Sequence, residues 1–263
     1  MMKRRELLAS SGALLAPSVL RAEGSVKTLR YAFLVSETGF DPPQLSDLYS
    51  RSVTGHIFDS LYRYDHLARP YLVKPNTAVD MPEAADDFKT WTVRIQPGIF
   101  FADDPAFKGK RRELTAEDYV FSYKRFFDPA VKSPLYSNLA EDRMLGMAAL
   151  REKAIKRKQP FDYDQPVEGL RALDRYTLQF RLEQSRPRFL YKLALPDAFG
   201  AVAREVVEAY GAQIMSHPVG TGPFMLDTWR RSSFIRLVRN PGFREHGLDC
   251  GQHADRLVIW RAW

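Results

Sequence analysis

The sequence predicts a fold of the α/β class, because segments with the two-residue period of a strand alternate with segments of helical period along the chain. Apolar and polar residues alternate at 91–95 and 176–182, as they do in half-buried strands. The stretches 115–127 and 144–158 carry apolar residues at helical spacing. With 263 residues and 45% apolar content, the chain can bury a sizeable core, in one large domain or two.

The N-terminus has the layout of a secretory signal peptide over residues 1–22. A basic start precedes a short apolar run at 7–15, which is shorter than the membrane-spanning helix of about 20 residues. The pair Arg4-Arg5 also resembles a twin-arginine signal, although a lysine precedes it, so both export routes stay open. We expect export and a mature protein that begins near Glu23.

The formal net charge of +7 is partly a property of this N-terminal segment. Four basic residues minus one acidic residue give +3 within the first 22 residues, which leaves +4 for the remainder. So small a surplus is weak evidence for a nucleic-acid partner, and we expect none.

The first predicted elements are a strand at 29–35, a polar loop at 36–43 and a helix at about 45–61. Prolines end the loop. His56 falls within this helix, and we interpret it as an ordinary helix-face histidine rather than a ligand.

The middle of the chain predicts a strand, a loop and a second helix. The strand at 91–95 is followed by a helix that begins after Thr115, a good N-cap residue, and stops at the Asp-Pro pair of 128–129. The basic run at 107–112 predicts a solvated loop rather than a phosphate or nucleic-acid contact.

The next elements are a charged helix at 144–158, a half-buried strand at 176–182, and short helices at 188–195 and 203–210. Gly211 ends the last of these helices at the position that a C-cap glycine prefers.

The most distinctive stretch is 218–224, Pro-Val-Gly-Thr-Gly-Pro-Phe. It predicts a fixed, non-helical turn, because glycine admits positive φ and proline holds φ at about −65°. Alternation over 224–238 around a polar centre at 230–233 predicts a hairpin, which leads into Arg-Asn-Pro-Gly-Phe at 239–243.

These blocks, taken in their order, resemble family 5 of the extracellular solute-binding proteins, which includes the peptide-, dipeptide- and nickel-binding proteins of bacterial ABC importers. The resemblance runs from about Leu29 to the last residue. Its blocks are 58–65, 87–101, 114–129, 218–224 and 239–243.

The resemblance implies a periplasmic-binding-protein-like fold of the class II type: a first lobe with an inserted α/β subdomain, the second lobe being absent. By analogy, a core subdomain uses 26–60 and 190–256, and the inserted subdomain uses 61–189. Residues 257–263 start a strand that crosses to the missing lobe.

A chain with one lobe is expected to be truncated and to leave apolar surface uncovered. We expect that surface at the C-terminal strand, on Ile259, Trp260 and Trp263. Its exposure favours aggregation or association with a separately encoded C-terminal half.

The function implied by the resemblance is non-catalytic capture of an oligopeptide or a similar small solute in the periplasm, for delivery to the permease of an ABC importer. Relatives hold the solute with the loop after the first strand and with residues of the inserted subdomain. The ligand-binding residues implied here are Ser36, Glu37, Thr38, Gly39, Tyr136 and Asn138. For each of them alone, an ordinary loop or packing role stays open. The structural turn comprises Gly220, Thr221, Gly222 and Pro223.

The sequence lacks the G-x-S-x-G, H-E-x-x-H and Walker-type motifs, so we expect neither an enzyme nor a cofactor. The single cysteine, Cys250, excludes an internal disulfide, and its spacing from His246 and His253 matches no standard zinc site, so we expect no bound metal. Two alternatives remain: a secreted hydrolase with an unrecognised site, and an interaction module that docks on a membrane partner without binding solute.

Overall fold

A computed structural model describes residues 26–244 and 256–261. The strands in these ranges are, in chain order, β1 (Thr28–Phe33), β2 (Tyr62–Asp65), β3 (Leu72–Pro75), β4 (Glu83–Ala85), β5 (Thr90–Arg94), β6 (Leu170–Asp174), β7 (Thr177–Arg181), β8 (Phe224–Arg230), β9 (Phe234–Arg239) and β10 (Arg256–Arg261).

The helices in the same ranges are α1 (Leu48–Ile57), α2 (Ala116–Phe127), α3 (Tyr136–Ala140), α4 (Met147–Arg157), α5 (Phe189–Lys192), α6 (Pro196–Phe199) and α7 (Arg204–Tyr210). Short 3₁₀ segments lie at Pro42–Gln44, Pro105–Phe107 and Gly211–Ser216. The alternation of strands and helices confirms the predicted α/β class.

The strands form two four-stranded sheets and a ribbon. The first sheet has the order β1-β10-β9-β8, in which β1 runs parallel to β10 and the other neighbours are antiparallel. The second sheet has the order β4-β5-β7-β6 and is antiparallel throughout. β2 and β3 pair with each other as the ribbon.

Two apolar clusters lie beside these sheets. The smaller one packs α1 against the first sheet, through residues such as Val53, Ile57, Ile235 and Leu237. The larger one fills the space around α2 and the second sheet, where Phe180 is fully buried. Burial of each such side chain stabilises the fold by about 1.5–3 kcal/mol, so these clusters hold the two sheets and their helices together.

Helix α2 has the predicted bounds because both of its ends carry strong local signals. The backbone N–H of Thr115 donates to the Asp118 carboxylate at 2.7 Å in a capping box, and Asp128 closes the other end. Eleven of its twelve residues are buried, which includes the charged side chains of Lys124 and Arg125.

Helix α1 is shorter than its predicted range of 45–61. It begins after Asp47, whose side chain accepts from the Ser50 backbone N–H at 2.7 Å, and it ends before Phe58, which is extended. Beyond that point the chain turns away, so the apolar residues at 58–61 pack as a loop and not as a helical turn.

The C-terminal strand corrects one expectation. β10 lies inside the first sheet, between β1 and β9, and Ile259 is only 3% exposed. One group of exposed apolar side chains lies on β1 and just after it, where Leu29, Tyr31 and Leu34 are 57%, 58% and 73% exposed. The side chain of Trp260, all of Trp263 and the signal segment 1–22 lie outside what the structure describes.

Candidate functional site

The loop that follows β1 carries four of the predicted ligand-binding residues, and it lies between α1 and the β8–β9 hairpin. Its side chains do not all face solvent. The residues from Glu37 to Asp41 contact several other parts of the protein, which fixes the backbone of the loop.

Glu37 is directed into the protein, with an exposed fraction of 5%. Its Oε1 accepts a hydrogen bond from the indole Nε1 of Trp229 at 2.5 Å and another from the backbone N–H of Ser232 at 3.1 Å. Among the described residues it has no ion-pair partner. The carboxylate therefore joins the loop to the tip of the β8–β9 hairpin.

Thr38 joins the loop to the start of α1. Its hydroxyl donates to Asp47 at 2.6 Å, and its backbone N–H donates to the hydroxyl of Ser50 at 2.9 Å. Burial raises the pKa of Asp47, but the hydrogen bonds from Thr38 and Ser50 outweigh it, so the pKa lies below its ordinary value. The N-cap carboxylate of α1 is thus also a loop anchor.

Gly39 is required by a close approach to Met215. Its φ is +156°, and a Cβ at this position would lie 3.1 Å from the Met215 Cβ and 3.2 Å from its carbonyl oxygen. The next residue, Phe40, donates its N–H to that carbonyl at 2.9 Å, and its ring lies 4.8 Å from the Trp229 ring.

Ser36 is half-buried, and Leu34 and Val35 before it are exposed. The backbone N–H and C=O groups of residues 34–37 make no hydrogen bond with any other described residue. Within residues 26–244 and 256–261, this short segment combines unpaired backbone groups with exposed apolar side chains.

The other two predicted ligand-binding residues lie on α3. The Tyr136 ring meets Phe127 edge-on at 5.6 Å, and the Arg151 guanidinium lies 4.0 Å from its centroid. The backbone carbonyl of Asn138 accepts a hydrogen bond from the Lys192 ammonium at 2.6 Å, and the residue as a whole is exposed. Tyr136 is therefore a packing residue whose side chain remains half-exposed to solvent.

Among the described residues, no hydrogen bond, ion pair or ring contact joins the loop to α3. They are linked through α2: Arg125 contacts Asp41 at the end of the loop, and Phe127 contacts Tyr136. The loop and α3 thus contact the same helix, at Arg125 and at Phe127.

The predicted turn at 218–224 packs on the C-terminal end of α1. A Cβ at Gly220 would lie 2.0 Å from the carbonyl oxygen of Ile57, and one at Gly222 would lie 2.6 Å from it. Gly222 also donates its N–H to that carbonyl at 2.8 Å. Neither glycine has positive φ. The argument from positive φ was wrong here, and close backbone approach is the physical reason for glycine.

Thr221 and Pro223 connect this turn to more distant residues. The Thr221 hydroxyl donates to Asp59 at 3.0 Å, and the carbonyl of Pro223 accepts from the Asn240 N–H at 2.8 Å. Asp59 also accepts from Arg244 at 2.7 Å. Asp59 was missed by the sequence analysis, although an acidic residue inside a buried apolar run is a usable signal.

The basic loop at 107–112 is only partly solvated. Lys108 and Lys110 are exposed, as predicted. Arg112 instead pairs with Asp118 at 2.6 Å and Glu205 at 2.8 Å, so its prediction as a free surface charge was wrong.

His56 lies on α1 as an exposed residue, with its ring edge-on to Phe224 at 5.9 Å. This is the helix-face role that the sequence predicted. No group of three metal-binding side chains exists within residues 26–244 and 256–261. The His246, Cys250 and His253 group lies outside these ranges.

The sequence of this chain agrees with a sequence model of a known protein family. A sequence model of the bacterial extracellular solute-binding proteins, family 5, matches residues 73–259, which is well over half of the chain. The chain belongs to the family 5 solute-binding proteins.

Two relatives illustrate this membership. Di/tripeptide-binding protein 2 of Pseudomonas aeruginosa is 25% identical over 256 residues, which cover 92% of this chain and 43% of the relative. The glutathione-binding protein GsiB of Escherichia coli is 27% identical over 214 residues, which cover 80% of this chain and 34% of GsiB. This family 5 protein therefore spans less than half the length of the relatives that it matches.

Solved structures show the same fold. Haemophilus influenzae OppA, in complex with the peptide RPPGFSPFR, matches with a TM-score of 0.72 at 21% identity, over 90% of this chain and 42% of OppA. The unliganded open form of MppA, a periplasmic murein tripeptide-binding protein, gives 0.71 at 19% identity, over 90% and 42%. The periplasmic-binding-protein-like first lobe is thereby confirmed.

Within residues 26–244 and 256–261, no helix combines the length and the apolar character that a membrane-spanning helix needs.

Proposed function

We propose that this family 5 protein is the solute-binding component of an ABC importer and that it captures oligopeptides or a similar small solute without catalysis. The observation that carries the proposal is the loop after β1. Hydrogen bonds and packing hold the residues from Glu37 to Asp41 in place, and the backbone groups of residues 34–37 have no partner among the described residues.

The chemistry of this segment favours an extended peptide. Unpaired N–H and C=O groups along a strand-like segment pair with the backbone of an added strand, whatever the ligand's side chains are. Leu34 and Val35 are 73% and 58% exposed and supply apolar contact beside those groups. Recognition through the backbone suits a protein that accepts peptides of varied sequence.

The predicted ligand-binding residues take different roles in this proposal. Ser36 contacts the solute through its hydroxyl, while Glu37, Thr38 and Gly39 hold the loop in shape and contribute backbone groups. Tyr136 and Asn138, on α3, form a more distant part of the proposed solute-binding site. Gly220 to Pro223 act as the structural turn that fixes the end of α1.

We retain the proposed division of the chain. The core subdomain (26–60 and 190–256) contains most of the first sheet, and the inserted subdomain (61–189) contains the whole second sheet. Residues 257–261 belong to β10 in the first sheet, and we propose that the segment 257–263 starts the crossing to a second lobe.

The proposed partners are the importer's permease and a second lobe, which is supplied by further polypeptide or by a separately encoded C-terminal half. The relatives are more than twice as long as the part that matches. The exposed Leu29 and Tyr31 on the outer strand of the first sheet support a covering partner. The same surface supports the second candidate function, an interaction module that docks without solute.

The test is isothermal titration of the purified chain with mixed di- to pentapeptides, together with a thermal shift. A solute that binds only the folded state raises its stability by about 2.7 kcal/mol at 100 times Kd. We expect weak binding by the chain alone and tighter binding when a complementary C-terminal fragment is added. Absence of binding in both mixtures would favour the interaction module, and turnover of the peptides would favour a hydrolase.

The proposed location is the periplasm, after removal of residues 1–22. Sequencing of the mature N-terminus from a periplasmic fraction tests this, and we expect Glu23 as the first residue. A protein that retains Met1 in the cytoplasm contradicts both the location and the transport role.

A further inference from the structure

A buried ion pair ends the loop after β1. The guanidinium of Arg125 on α2 donates two hydrogen bonds to the Asp41 carboxylate, NH1 to Oδ1 at 2.6 Å and NH2 to Oδ2 at 2.8 Å. The side chains are 3% and 1% exposed. Such a two-pronged contact fixes both distance and orientation between the two groups.

We propose that Arg125 is a positioning residue for the solute-binding loop: through Asp41 it sets the conformation of residues 36–41. This inference rests on the proposed function for the identity of the loop's ligand, but the positioning itself is a property of the free protein. Arg125 belongs to the proposed inserted subdomain, whereas the loop belongs to the proposed core subdomain. A residue of one subdomain thus sets the conformation of a loop in the other.

Helix α2 is a rigid reference for the loop. Its first turn is closed by the capping box and by the pair of Arg112 with Asp118. Near its other end, the Lys124 ammonium donates to the carbonyls of Tyr163 and Gln165 at 2.8 and 2.9 Å. A side chain on such a helix has a fixed location, so the loop conforms to Arg125 and not the reverse.

Asp41 transmits this location to the loop. It follows Phe40 directly, and Phe40 is buried against Trp229, so a shift of Asp41 moves the aromatic anchor as well. Gln44 donates to the same carboxylate at 2.5 Å, which holds the 3₁₀ turn after the loop in the same arrangement. Arg125 Nε has no partner among the described residues, so its hydrogen bonds are concentrated on Asp41.

The positioning role is separable from stability. Removing one member of a buried ion pair leaves an unpaired charge and destabilises a fold strongly, whereas replacing both by apolar residues of similar volume is often neutral. The double variant Asp41→Leu/Arg125→Met therefore removes the directional contact and keeps the packing. The matched control is Glu152→Leu/Lys156→Met, which removes an exposed ion pair on α4.

Amide hydrogen exchange is the primary measurement, because it needs no ligand. The N–H groups of Thr38, Gly39 and Phe40 are hydrogen-bonded to Ser50 and Met215 and report the loop. In the double variant we expect them to exchange at least about tenfold faster, with the amides of β9 unchanged. The control variant should alter neither group. Unchanged exchange at the loop would overturn the proposal.

A conservative variant covers the case in which the double variant does not fold. Arg125→Lys keeps the charge but cannot make the two-pronged contact. We expect faster exchange at residues 38–40 in this variant also, while wild-type rates would overturn the proposal.

Peptide titration of the same variants separates this inference from the proposed function. If the wild-type chain binds peptide, affinity should fall by about tenfold or more in the double variant, since a disordered loop must be ordered on binding. If loop exchange accelerates while peptide affinity is unchanged, Arg125 still positions the loop, but the loop is not the solute site. If the wild-type chain binds no peptide, the exchange data alone decide the positioning role.

Discussion

Trp229 and Glu37 lie 192 positions apart in the sequence and share a hydrogen bond of 2.5 Å between the indole Nε1 and the carboxylate. The bond joins the tip of the β8–β9 hairpin to the loop that follows β1. The acceptor is charged and buried, which makes the bond stronger than one between neutral groups. The hairpin is therefore part of the framework of the proposed site.

Trp229→Phe should lower the free energy of unfolding by about 2 kcal/mol, because it removes a donor from a buried charged acceptor. Phenylalanine keeps an aromatic ring against Phe40. Urea denaturation gives the value. In a Glu37→Gln background the same change should have only about half the effect, since a neutral acceptor forms a weaker bond. Equal losses in the two backgrounds would show that the bond itself adds nothing.

Gly220→Ala should destabilise the protein by more than about 3 kcal/mol, because the new Cβ would lie 2.0 Å from the carbonyl oxygen of Ile57. Gly55→Ala, in the interior of α1, is the matched control. The nearest atom to its Cβ would lie at 3.7 Å, so the higher helix propensity of alanine should stabilise the protein by about 0.5–1 kcal/mol. Thermal unfolding of the two variants decides; similar stability in both would contradict the close-approach argument.

The stability contributed by Asp47 should depend on pH in the acid range. Burial raises its pKa and the hydrogen bonds from Thr38 and Ser50 lower it by more, so the folded-state pKa lies below 3.8, its ordinary value. A carboxyl with a depressed pKa stabilises the fold above its unfolded-state pKa and loses that contribution as pH falls through the folded-state value. The difference in stability between wild type and Asp47→Asn should therefore be larger at about pH 5 than at about pH 2.5.

Urea unfolding at both pH values measures this difference. Thr38→Val is the companion variant: it removes one of the bonds that lower the folded-state pKa, so the acid loss should be smaller and end at a higher pH than in wild type. A difference between wild type and Asp47→Asn that does not change with pH would rule out the titration of Asp47 as its source.

Replacing Leu29 and Tyr31 with lysine should reduce self-association of the chain without unfolding it. Both side chains are more than half exposed, so the expected loss of stability is about 0.5 kcal/mol or less per site. Sedimentation velocity measures the association. Arg30→Lys, on the opposite face of β1, serves as the control, and an unchanged degree of association in the double variant would remove β1 from the contact surface.

The sequence correctly predicted the elements whose first and last residues are determined by residues close to them along the chain. The bounds of α2 follow from Thr115 and from the Asp-Pro pair after Phe127, which are signals contained within a few positions. The end of α1 was overestimated, because it depends on the approach of Gly222 to Ile57, and no local pattern records that contact.

The candidate site was harder to predict for the same reason. The positions of the loop residues could be named from the family, but not the direction of their side chains. Glu37 points inward because Trp229 and Ser232 supply donors there, and Asp41 because Arg125 does so from 84 positions away. Arg125 carried one usable signal, as a charged residue on the apolar face of a helix, but its partner was not evident from the sequence.

The parallel pairing of β1 with β10 has a consequence for the order of folding. Thr28 lies opposite Arg256, so the first strand to be synthesised finds its described sheet partner only after more than two hundred further residues have been added. The β8–β9 hairpin can form from residues close together in the sequence. β1 stays unpaired until β10 has been synthesised, and Leu29 and Tyr31 are exposed to water during that time. We therefore expect the nascent chain to expose this strand for most of its synthesis, which makes it an early binding segment for a chaperone.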